Sequence, residues 1–307
     1  MIRWGEEVHG QRYLLVTADD YGIGPATSQG ILDLAISGLV TGSVLLVNSP
    51  HAAAAVQAWR QAGEPMELGW HPCLTLDGPL LPAQRVASLV RPDGQFWPLG
   101  TFLRRLWLGR IQGAEVEAEL RAQYDRCHDL LGHPPTVVNS HHHIQVFPQI
   151  GTILRRILRR GTPLPYLRCV REPWRTLIRV PGARAKRTFL SLLGRYLARP
   201  RQRTFPGNDW LAGITDPRWV VDPDFLVRWL TRIPGAVVEL TCHPGYLDTT
   251  LIGRDCQRDD GQMQRRIREL HLLRQASFRE ACTRAGFALV TPSVLTKLQQ
   301  DDRAHAA

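Results

Sequence analysis

The stretch LLVTADDYGIG, residues Leu14–Gly24, decides the fold of this 307-residue chain. Its first part, Leu14–Ala18, is apolar or β-branched and predicts a buried β-strand. The strand runs directly into Asp19 and Asp20. Gly22 and Gly24, which are typical of a turn, follow them. Two adjacent carboxylates repel each other unless a cation or a shared proton relieves them. By itself the stretch therefore fits either a polar turn or part of a metal site.

Further predicted strands and helices alternate along the rest of the chain. The predicted strands are Tyr13–Ala18, Thr41–Val47, Met66–His71, Thr136–Ser140, Tyr166–Val170, Val237–Cys242 and Ala288–Val290, and the predicted helices include Thr27–Ser37, Ala114–Leu131, Pro148–Arg160 and Gln262–Ala285. About seven strands that alternate with helices indicate an α/β protein with a parallel sheet, either closed as a barrel or open. We expect one domain over residues 1–307.

Composition places the chain among globular proteins. Hydrophobic residues make up 44% and charged residues 21%, which is ordinary for a folded domain. The first residues lack the pattern of a cleaved signal, and no apolar run approaches the roughly 18 residues that suggest a membrane span. The six cysteines form no CxxC pair and are expected to be reduced thiols. These features predict a cytoplasmic enzyme.

The charge of the chain is concentrated in one region. The net charge is +10, and residues 155–203 contain fifteen Lys or Arg but a single acid, Glu172. Part of this region, RVPGARAKRTFLSLLGRYLARPRQR, mixes Arg with Leu and Phe and predicts a basic amphipathic helix. Such a helix suits a solvated face, which is the simplest interpretation, or contact with an anionic lipid or membrane surface. Nucleic acid is not the expected partner, and a homo-oligomer is left open.

Residues able to bind a metal follow four of the predicted strands. Asp19 and Asp20 end the first strand, His71 ends another, and His141 and His243 each follow one. In a parallel sheet the carboxyl ends of the strands meet at one edge, where the chemistry of α/β folds gathers. A single loop can carry one such residue by chance, but four strand ends that all carry one are much less likely to arise by chance. The carboxylate pair is therefore interpreted as part of a metal site.

The residue types suggest separate roles for the two carboxylates. One Asp and two His form a ligand set that leaves positions open for water and substrate. A metal held in this way lowers the pKa of a bound water and polarises a carbonyl. A second Asp that is close by but not a ligand stays basic and can accept a proton.

The chain resembles the YdjC-like carbohydrate deacetylases, which include chitooligosaccharide deacetylases and hopanoid-associated relatives. The matching blocks are VTADDYGIGPATSQGILDLAISGLVTGSVLLVNSP, LGWHPCLTLDGPL, HPPTVVNSHHHIQVFPQI and VELTCHPGYLD, in the order that the family shows. The resemblance implies an irregular (β/α) barrel of about seven parallel strands, similar to that of polysaccharide deacetylases. It also implies a metal-dependent hydrolase that removes acetyl groups from an N-acetylated sugar, either an oligosaccharide or a lipid-linked glycan, and releases acetate.

The resemblance assigns roles to individual residues. Asp20, His71 and His141 match the ligands of one divalent ion, either zinc or magnesium. Asp19 matches the general base. His243 stands where an acid would protonate the leaving amine. His142 and His143 are given no role, although either could contact substrate.

Two features depart from the family pattern. Trp70 and Pro72 flank His71 where the family usually has smaller or non-proline residues, so the substrate pocket is expected to differ. The Arg-rich segment around residues 171–205 matches no family block and is interpreted as an insertion near the mouth of the site. It is expected to favour an anionic or membrane-associated substrate, which would place the protein at the inner membrane face.

Two other functions remain open from the sequence. Another metal-dependent hydrolase, such as a phosphoesterase or an esterase, could use the same ligand set, and the Arg-rich segment could then hold a phosphate. A non-catalytic carbohydrate- or lipid-binding protein on the same scaffold is the second alternative. Retention of Asp19 argues against it, because a binding protein needs no free carboxylate beside its metal.

Overall fold

A computed structural model describes residues 11–197 and 205–305, and its strands form one parallel sheet. The strands are β1 Arg12–Tyr21, β2 Gly42–Leu45, β3 Glu67–Trp70, β4 Val137–Val138, β5 Tyr166–Leu167, β6 Trp210–Ala212, β7 Val237–Cys242 and β8 Phe287–Leu289. Their order is β5-β4-β3-β2-β1-β7-β6, and β8 pairs with the first residues of β1. The predicted fold class, an irregular α/β barrel of about seven parallel strands, is confirmed.

The edge strands β5 and β6 are bridged by the chain segments beside them. The Leu167 N–H donates to the Pro206 carbonyl over 2.8 Å, and the Leu211 N–H donates to the Arg171 carbonyl over 2.9 Å. These bonds are too few to form a regular strand pair. The barrel is therefore irregular at this seam.

Helices connect the strands and cover the outside of the sheet. They are α1 Pro25–Ile36, α2 Ala52–Gln61, α3 Leu99–Trp107, α4 Gly113–Leu131, α5 Pro148–Leu158, α6 Trp174–Arg179, α7 Arg184–Leu197, α8 Phe225–Leu230, α9 Gln262–Arg274, α10 Ala276–Arg284 and α11 Pro292–His305. The predicted helix over residues 262–285 is in fact two helices that break at Gln275, whose backbone is extended (φ −68°, ψ 144°).

Alternation along the strands builds two cores. On β1, Leu14 and Val16 pack outward against the helices, whereas Leu15 points to the other face. There it joins a small cluster inside the barrel, formed with Val44, Val137, Tyr166 and Leu295. Leu295 comes from α11, so this helix fills the end of the barrel at which the strands start. At the opposite end, where the strands finish, polar side chains line a cavity.

The Arg-rich segment folds as a pair of helices, α6 and α7. Arg187 of α7 is fully buried and pairs with Glu172, with Nη2 2.7 Å from the carboxylate. The same guanidinium donates to the carbonyls of Val180 and Gly182, and it therefore fixes the connection between the helices. The predicted basic helix is present as α7, but Arg187 belongs to the core and not to a solvated face. Residues 198–204 of the predicted segment lie outside the described residues.

Among the residues that the structure describes, no helix combines the length and the apolar character that crossing a membrane requires.

Candidate metal centre and catalytic cleft

An irregularity at the end of β1 turns both aspartates toward the inside of the barrel. The pairing register of β1 with β2 shifts between Ala18 and Tyr21, as in a β-bulge. Asp20 has a positive φ of 66°, a conformation that Asp tolerates better than most residues. In a regular strand, neighbouring side chains point to opposite faces. The irregularity is therefore what allows Asp19 and Asp20 to line the same cavity.

The three predicted metal ligands converge on one point. Asp20 Oδ1 lies 3.2 Å from His71 Nε2 and 3.0 Å from His141 Nδ1, and all three residues are buried. Zinc bonded to such atoms at about 2.0–2.2 Å leaves neighbouring ligands roughly 3.3 Å apart. The spacing therefore fits a single small cation held between the three atoms.

The hydrogen bonding of His71 supports this fit. Its Nδ1 lies 2.7 Å from the Asn139 carbonyl, which can only accept, so Nδ1 carries the proton. In the neutral ring, Nε2 then presents a lone pair to the carboxylate of Asp20. Two lone pairs repel each other, so a cation or an extra proton between Nε2 of His71 and Oδ1 of Asp20 makes this contact favourable. Outer partners that fix the tautomer in this way are usual around metal-bound histidines.

Arg266 holds the second oxygen of Asp20. Its Nη2 donates to Asp20 Oδ2 over 2.7 Å and to Asp255 over 2.8 Å. Burial acts to raise the pKa of Asp20, but Arg266 and His141 more than offset it and hold that pKa well below its usual range. Asp20 is therefore ionised and offers Oδ1 alone to a metal.

Asp19 is anchored by a buried arginine that the sequence analysis did not single out. Arg168 donates from Nη1 and Nη2 to the two carboxylate oxygens over 2.6 and 2.8 Å, and the Thr241 hydroxyl donates over 3.0 Å. Arg168 also donates from Nε to Glu239 over 2.8 Å. Burial acts to raise the pKa of Asp19, but Arg168 outweighs it and lowers that pKa far below its usual value. Asp19 is therefore a carboxylate at physiological pH.

The period-two pattern of the strands contained a signal for these partners. On β7, Val237 faces the inside of the barrel, and so do Glu239 and Thr241, two and four residues further on. Directly after β5, Arg168 stands two residues beyond the inward-facing Tyr166 and also points inward. A charged residue at an inward position of an otherwise apolar strand predicts a buried polar network. This criterion identifies both Glu239 and Arg168 from the sequence.

His243 lies opposite Asp19 at the mouth of the cavity. Its Nε2 is 3.9 Å from Asp19 Oδ2, and its Nδ1 is 3.1 Å from Nη2 of Arg265. Arg265 is itself held by Glu269, and the same Glu269 accepts the backbone N–H of His243. A guanidinium can only donate, so Nδ1 of His243 must accept and the ring proton is on Nε2. Partial burial and the charge of Arg265 lower the pKa of His243 to about 4.

The site opens into a cavity of about 210 Å³ lined almost entirely by polar side chains. The lining includes the five predicted site residues together with His142, His143, Lys186, Ile214, Thr215, Thr241, Asp255, Asp260, Gln262, Arg265 and Arg266. His142 and His143 lie on a 3-10 turn after β4, where both have a positive φ near 55°. The strand does not continue through them, and it is the turn that brings all three consecutive histidines to the cavity.

Cys242 takes no part in this cavity. Its Sγ is buried 3.4 Å from the Thr17 carbonyl, and burial raises the pKa of the thiol well above its usual value. A thiol in that state is a poor nucleophile. A Cys–His pair with the neighbouring His243 is therefore not formed.

Comparison with known proteins matches residues 13–284 to the family model described as YdjC-like protein. The chain belongs to the YdjC-like family. A carbohydrate deacetylase of Mus musculus is 36% identical over 157 residues, which is 50% of this chain and 50% of the mouse protein. A chitooligosaccharide deacetylase of Yersinia pestis is 26% identical over 283 residues, which is 91% of this chain and 97% of that protein.

The fold of this YdjC-like chain also matches a solved structure. A putative cellobiose-phosphate cleavage protein of Enterococcus faecalis V583 superimposes with a TM-score of 0.74 at 24% identity. The match covers 93% of this chain and 99% of the other. At this identity the likeness establishes the shared fold.

Proposed function

We propose that this YdjC-like protein is a metal-dependent hydrolase that removes the acetyl group from an N-acetylated sugar. The observation that carries the proposal is the convergence of Asp20, His71 and His141 beside a second, ionised carboxylate, Asp19. The names of the mouse and Yersinia relatives, carbohydrate deacetylase and chitooligosaccharide deacetylase, support an acetylated carbohydrate as the substrate.

Asp20 Oδ1, His71 Nε2 and His141 are the groups that would hold the metal. Two imidazoles and one carboxylate suit zinc better than magnesium, which prefers oxygen ligands. When bound, a divalent cation polarises the amide carbonyl and lowers the pKa of a water molecule beside it. Arg266 keeps Asp20 ionised and oriented for this purpose.

Asp19 is proposed as the base that accepts a proton from the attacking water. Arg168 fixes both of its oxygens, so the carboxylate cannot turn away from the cavity. The same contact makes Asp19 a weak base, because it lowers the carboxyl pKa. The base is therefore effective only toward a water that has already been acidified. Asp19 and the metal site are thus expected to depend on each other.

His243 is proposed to contact the reacting amide from the other side. The contact with Arg265 directs the Nε2–H of His243 toward Asp19 and the space between them. With a pKa of about 4, the ring is neutral near pH 7. The family resemblance implies that His243 is an acid that protonates the leaving amine. We propose that His243 instead donates a hydrogen bond from Nε2, and that the proton held by Asp19 passes to the departing nitrogen.

One observation favours a second candidate, a hydrolase of sugar phosphates or other anionic esters. Lys186, Arg265 and Arg266 line the cavity and would attract an anionic group. Arg265 and Arg266 are, however, each engaged by carboxylates of this chain. Their charge is therefore largely used within the protein, and the deacetylase remains the better supported function.

The two candidates differ in the product they release. Purified protein supplied with zinc or magnesium is incubated with N-acetylglucosamine, chitobiose, longer chitooligosaccharides and a set of sugar phosphates, and acetate and phosphate are assayed separately. The proposal predicts acetate from at least one acetylated sugar and no phosphate. Phosphate without acetate would establish the second candidate, and neither product would favour a binding protein.

A further inference from the structure

The helix pair α6–α7 carries large apolar side chains that are exposed to solvent. Trp174 is 60% exposed, Ile178 62% and Leu192 61%. Phe189 is 41% exposed. Exposed single hydrophobic residues are common, but four of them on one short helix pair need an explanation.

Helical spacing gathers these side chains. Trp174 and Ile178 are four residues apart on α6, and Phe189 and Leu192 are three apart on α7, so each pair shares a helix face. The two helices are tied together, because Nη2 of Arg184 donates to the Ile178 carbonyl over 2.9 Å. We call the exposed large apolar and arginine side chains of this pair the helical patch: Trp174, Arg175, Ile178, Arg179, Arg184, Phe189, Leu192 and Arg195.

The helical patch carries only positive charge. Arg175, Arg179, Arg184 and Arg195 are exposed on the same two helices as the apolar side chains. Residues 171–197 contain a single acid, Glu172, and it is buried in its ion pair with Arg187. The patch therefore offers apolar and cationic side chains and no exposed carboxylate of its own.

The patch adjoins the catalytic cavity. Lys186, on the same helix as Phe189 and Leu192, lines the cavity. The ring of Phe189 lies 6.3 Å from that of Phe147, which directly follows the turn carrying the cavity histidines. The Ala183 N–H, just before α7, donates to the Asp216 carboxylate over 2.8 Å, next to the cavity residue Thr215. A surface that contacts the patch therefore lies beside the entrance of the site.

We propose that the helical patch docks on an anionic lipid bilayer and presents the cavity to a sugar carried at that surface. Interfacial helices combine exposed Trp, Phe and Leu with Arg, as this patch does. Each cationic residue near an anionic membrane adds attraction that salt weakens. A second copy of the chain is a poor occupant, because it would bring arginines against arginines. The proposal rests on the proposed function only for the nature of the substrate that docking delivers.

The test is sedimentation of the protein with vesicles of phosphatidylglycerol and phosphatidylcholine, or of phosphatidylcholine alone, at about 50 and 500 mM salt. The apolar variant is Trp174→Ser with Leu192→Ser. Its matched control is Trp107→Ser with Leu108→Ser, since these residues are 74% and 58% exposed on α3 and just after it. Circular dichroism verifies that each variant is folded.

A second pair of variants tests the charges. Arg175→Gln with Arg179→Gln removes two cations from the patch, and Arg126→Gln with Arg159→Gln removes two exposed cations elsewhere. Arg187 is left unchanged because it is buried.

We expect the wild-type protein to pellet with phosphatidylglycerol vesicles at low salt, and much less at high salt or with phosphatidylcholine alone. The apolar variant should bind about tenfold more weakly. The charge variant should lose binding mainly at low salt, and both controls should match the wild-type protein. Absence of pelleting at both salts, or equal binding by the apolar variant and its control, would overturn the proposal. So would concentration-dependent dimerisation in sedimentation velocity that the apolar variant abolishes, since it would assign the patch to a second copy.

Acetate release by the wild-type protein from acetylated sugars, both soluble and carried on a lipid, separates the two proposals. Acetate release without pelleting would contradict docking alone. Pelleting without acetate release from any acetylated sugar would contradict the proposed function and leave docking in place.

Discussion

Nη1 and Nη2 of Arg168 lie 2.6 and 2.8 Å from the two oxygens of Asp19, so the carboxylate next to the metal site is held by a buried, bidentate ion pair. The same guanidinium contacts Glu239, which also accepts the hydroxyl of Tyr166 over 3.1 Å. This network fixes one aspartate while Asp20 is left to converge with the histidines. Adjacent residues of identical chemistry are thereby given different environments and, as proposed, different roles.

Removal of Arg168 should destabilise the fold. Arg168→Met leaves the buried carboxylates of Asp19 and Glu239 without their cation, and breaking a buried ion pair in this way costs about 3–5 kcal/mol. Urea denaturation measures the loss in the free energy of unfolding. Arg91→Met is the matched control, because Arg91 pairs with Asp93 at an exposed site and such pairs contribute about 0–1 kcal/mol. Equal losses for the two variants would show that the network does not stabilise the fold.

Asp19→Asn should abolish most turnover while the metal site survives. The amide keeps the shape of the carboxylate and a partner for Arg168, but it cannot accept the proton of the attacking water. Loss of a general base typically costs about 10²–10⁴-fold in rate. Steady-state acetate release and metal content by elemental analysis are measured on the same preparation. Near-wild-type turnover with a full complement of metal would remove Asp19 from the role of base.

Asp20→Asn should weaken metal binding itself. An amide oxygen is a poorer metal ligand than a carboxylate oxygen. The Nδ2 of the new Asn is a donor, so it would face the donor Nη2 of Arg266 unfavourably. We expect zinc affinity in calorimetry to fall by more than the roughly 10–100-fold typical of outer partners. Arg266→Met, which removes such a partner but keeps the ligand, should show a loss within that range. Unchanged affinity in Asp20→Asn would exclude Asp20 as a ligand.

The pH dependence should reveal the Arg265–His243 contact. The pKa of His243 is about 4, below the ordinary 6.5, so between these values the unfolded chain binds more protons. The stability due to this group is complete above pH 6.5 and falls as the pH is lowered toward 4. In the wild-type protein, kcat/KM should show no His243 titration between pH 5 and 8, because the ring is already neutral there.

Arg265→Met should move this titration upward into the measurable range. Without the guanidinium, Nδ1 of His243 can accept a proton, and a new inflection in kcat/KM should appear below pH 6.5. Arg268→Met, on the exposed side of the same helix, is the control and should keep the wild-type profile. Identical profiles for both variants would show that Arg265 does not set the protonation of His243.

Much of the site was predictable because its residues stand at strand ends. The apolar runs located seven of the eight strands in the described part of the chain. The rule that chemistry gathers at the carboxyl ends of strands predicted that Asp20, His71 and His141 come together. The missed strand, β6 (Trp210–Ala212), is three residues long in a Pro-rich loop, and so short a run has no period of its own. Its pairing with β7 is a tertiary effect.

The partners of the site were harder to predict, since they depend on distant contacts. Arg168 reaches Asp19 across 149 positions of sequence, and Arg266 reaches Asp20 across 246. Nor does any local pattern predict the positive φ of Asp20, His142 and His143. The backbone there is fixed by the surrounding barrel, in keeping with the tendency of unusual conformations to cluster at functional sites.

The most direct test of the account compares acetate release from an N-acetylated chitooligosaccharide before and after metal removal. Protein stripped by a chelator and dialysed should release no acetate above background, and stoichiometric zinc or another divalent ion should restore activity. The same addition should leave Asp19→Asn inactive although it binds the ion. Full acetate release by protein shown to be metal-free, or restored activity in the Asp19→Asn variant, would contradict the assignment of a metal-dependent deacetylase with Asp19 as its base.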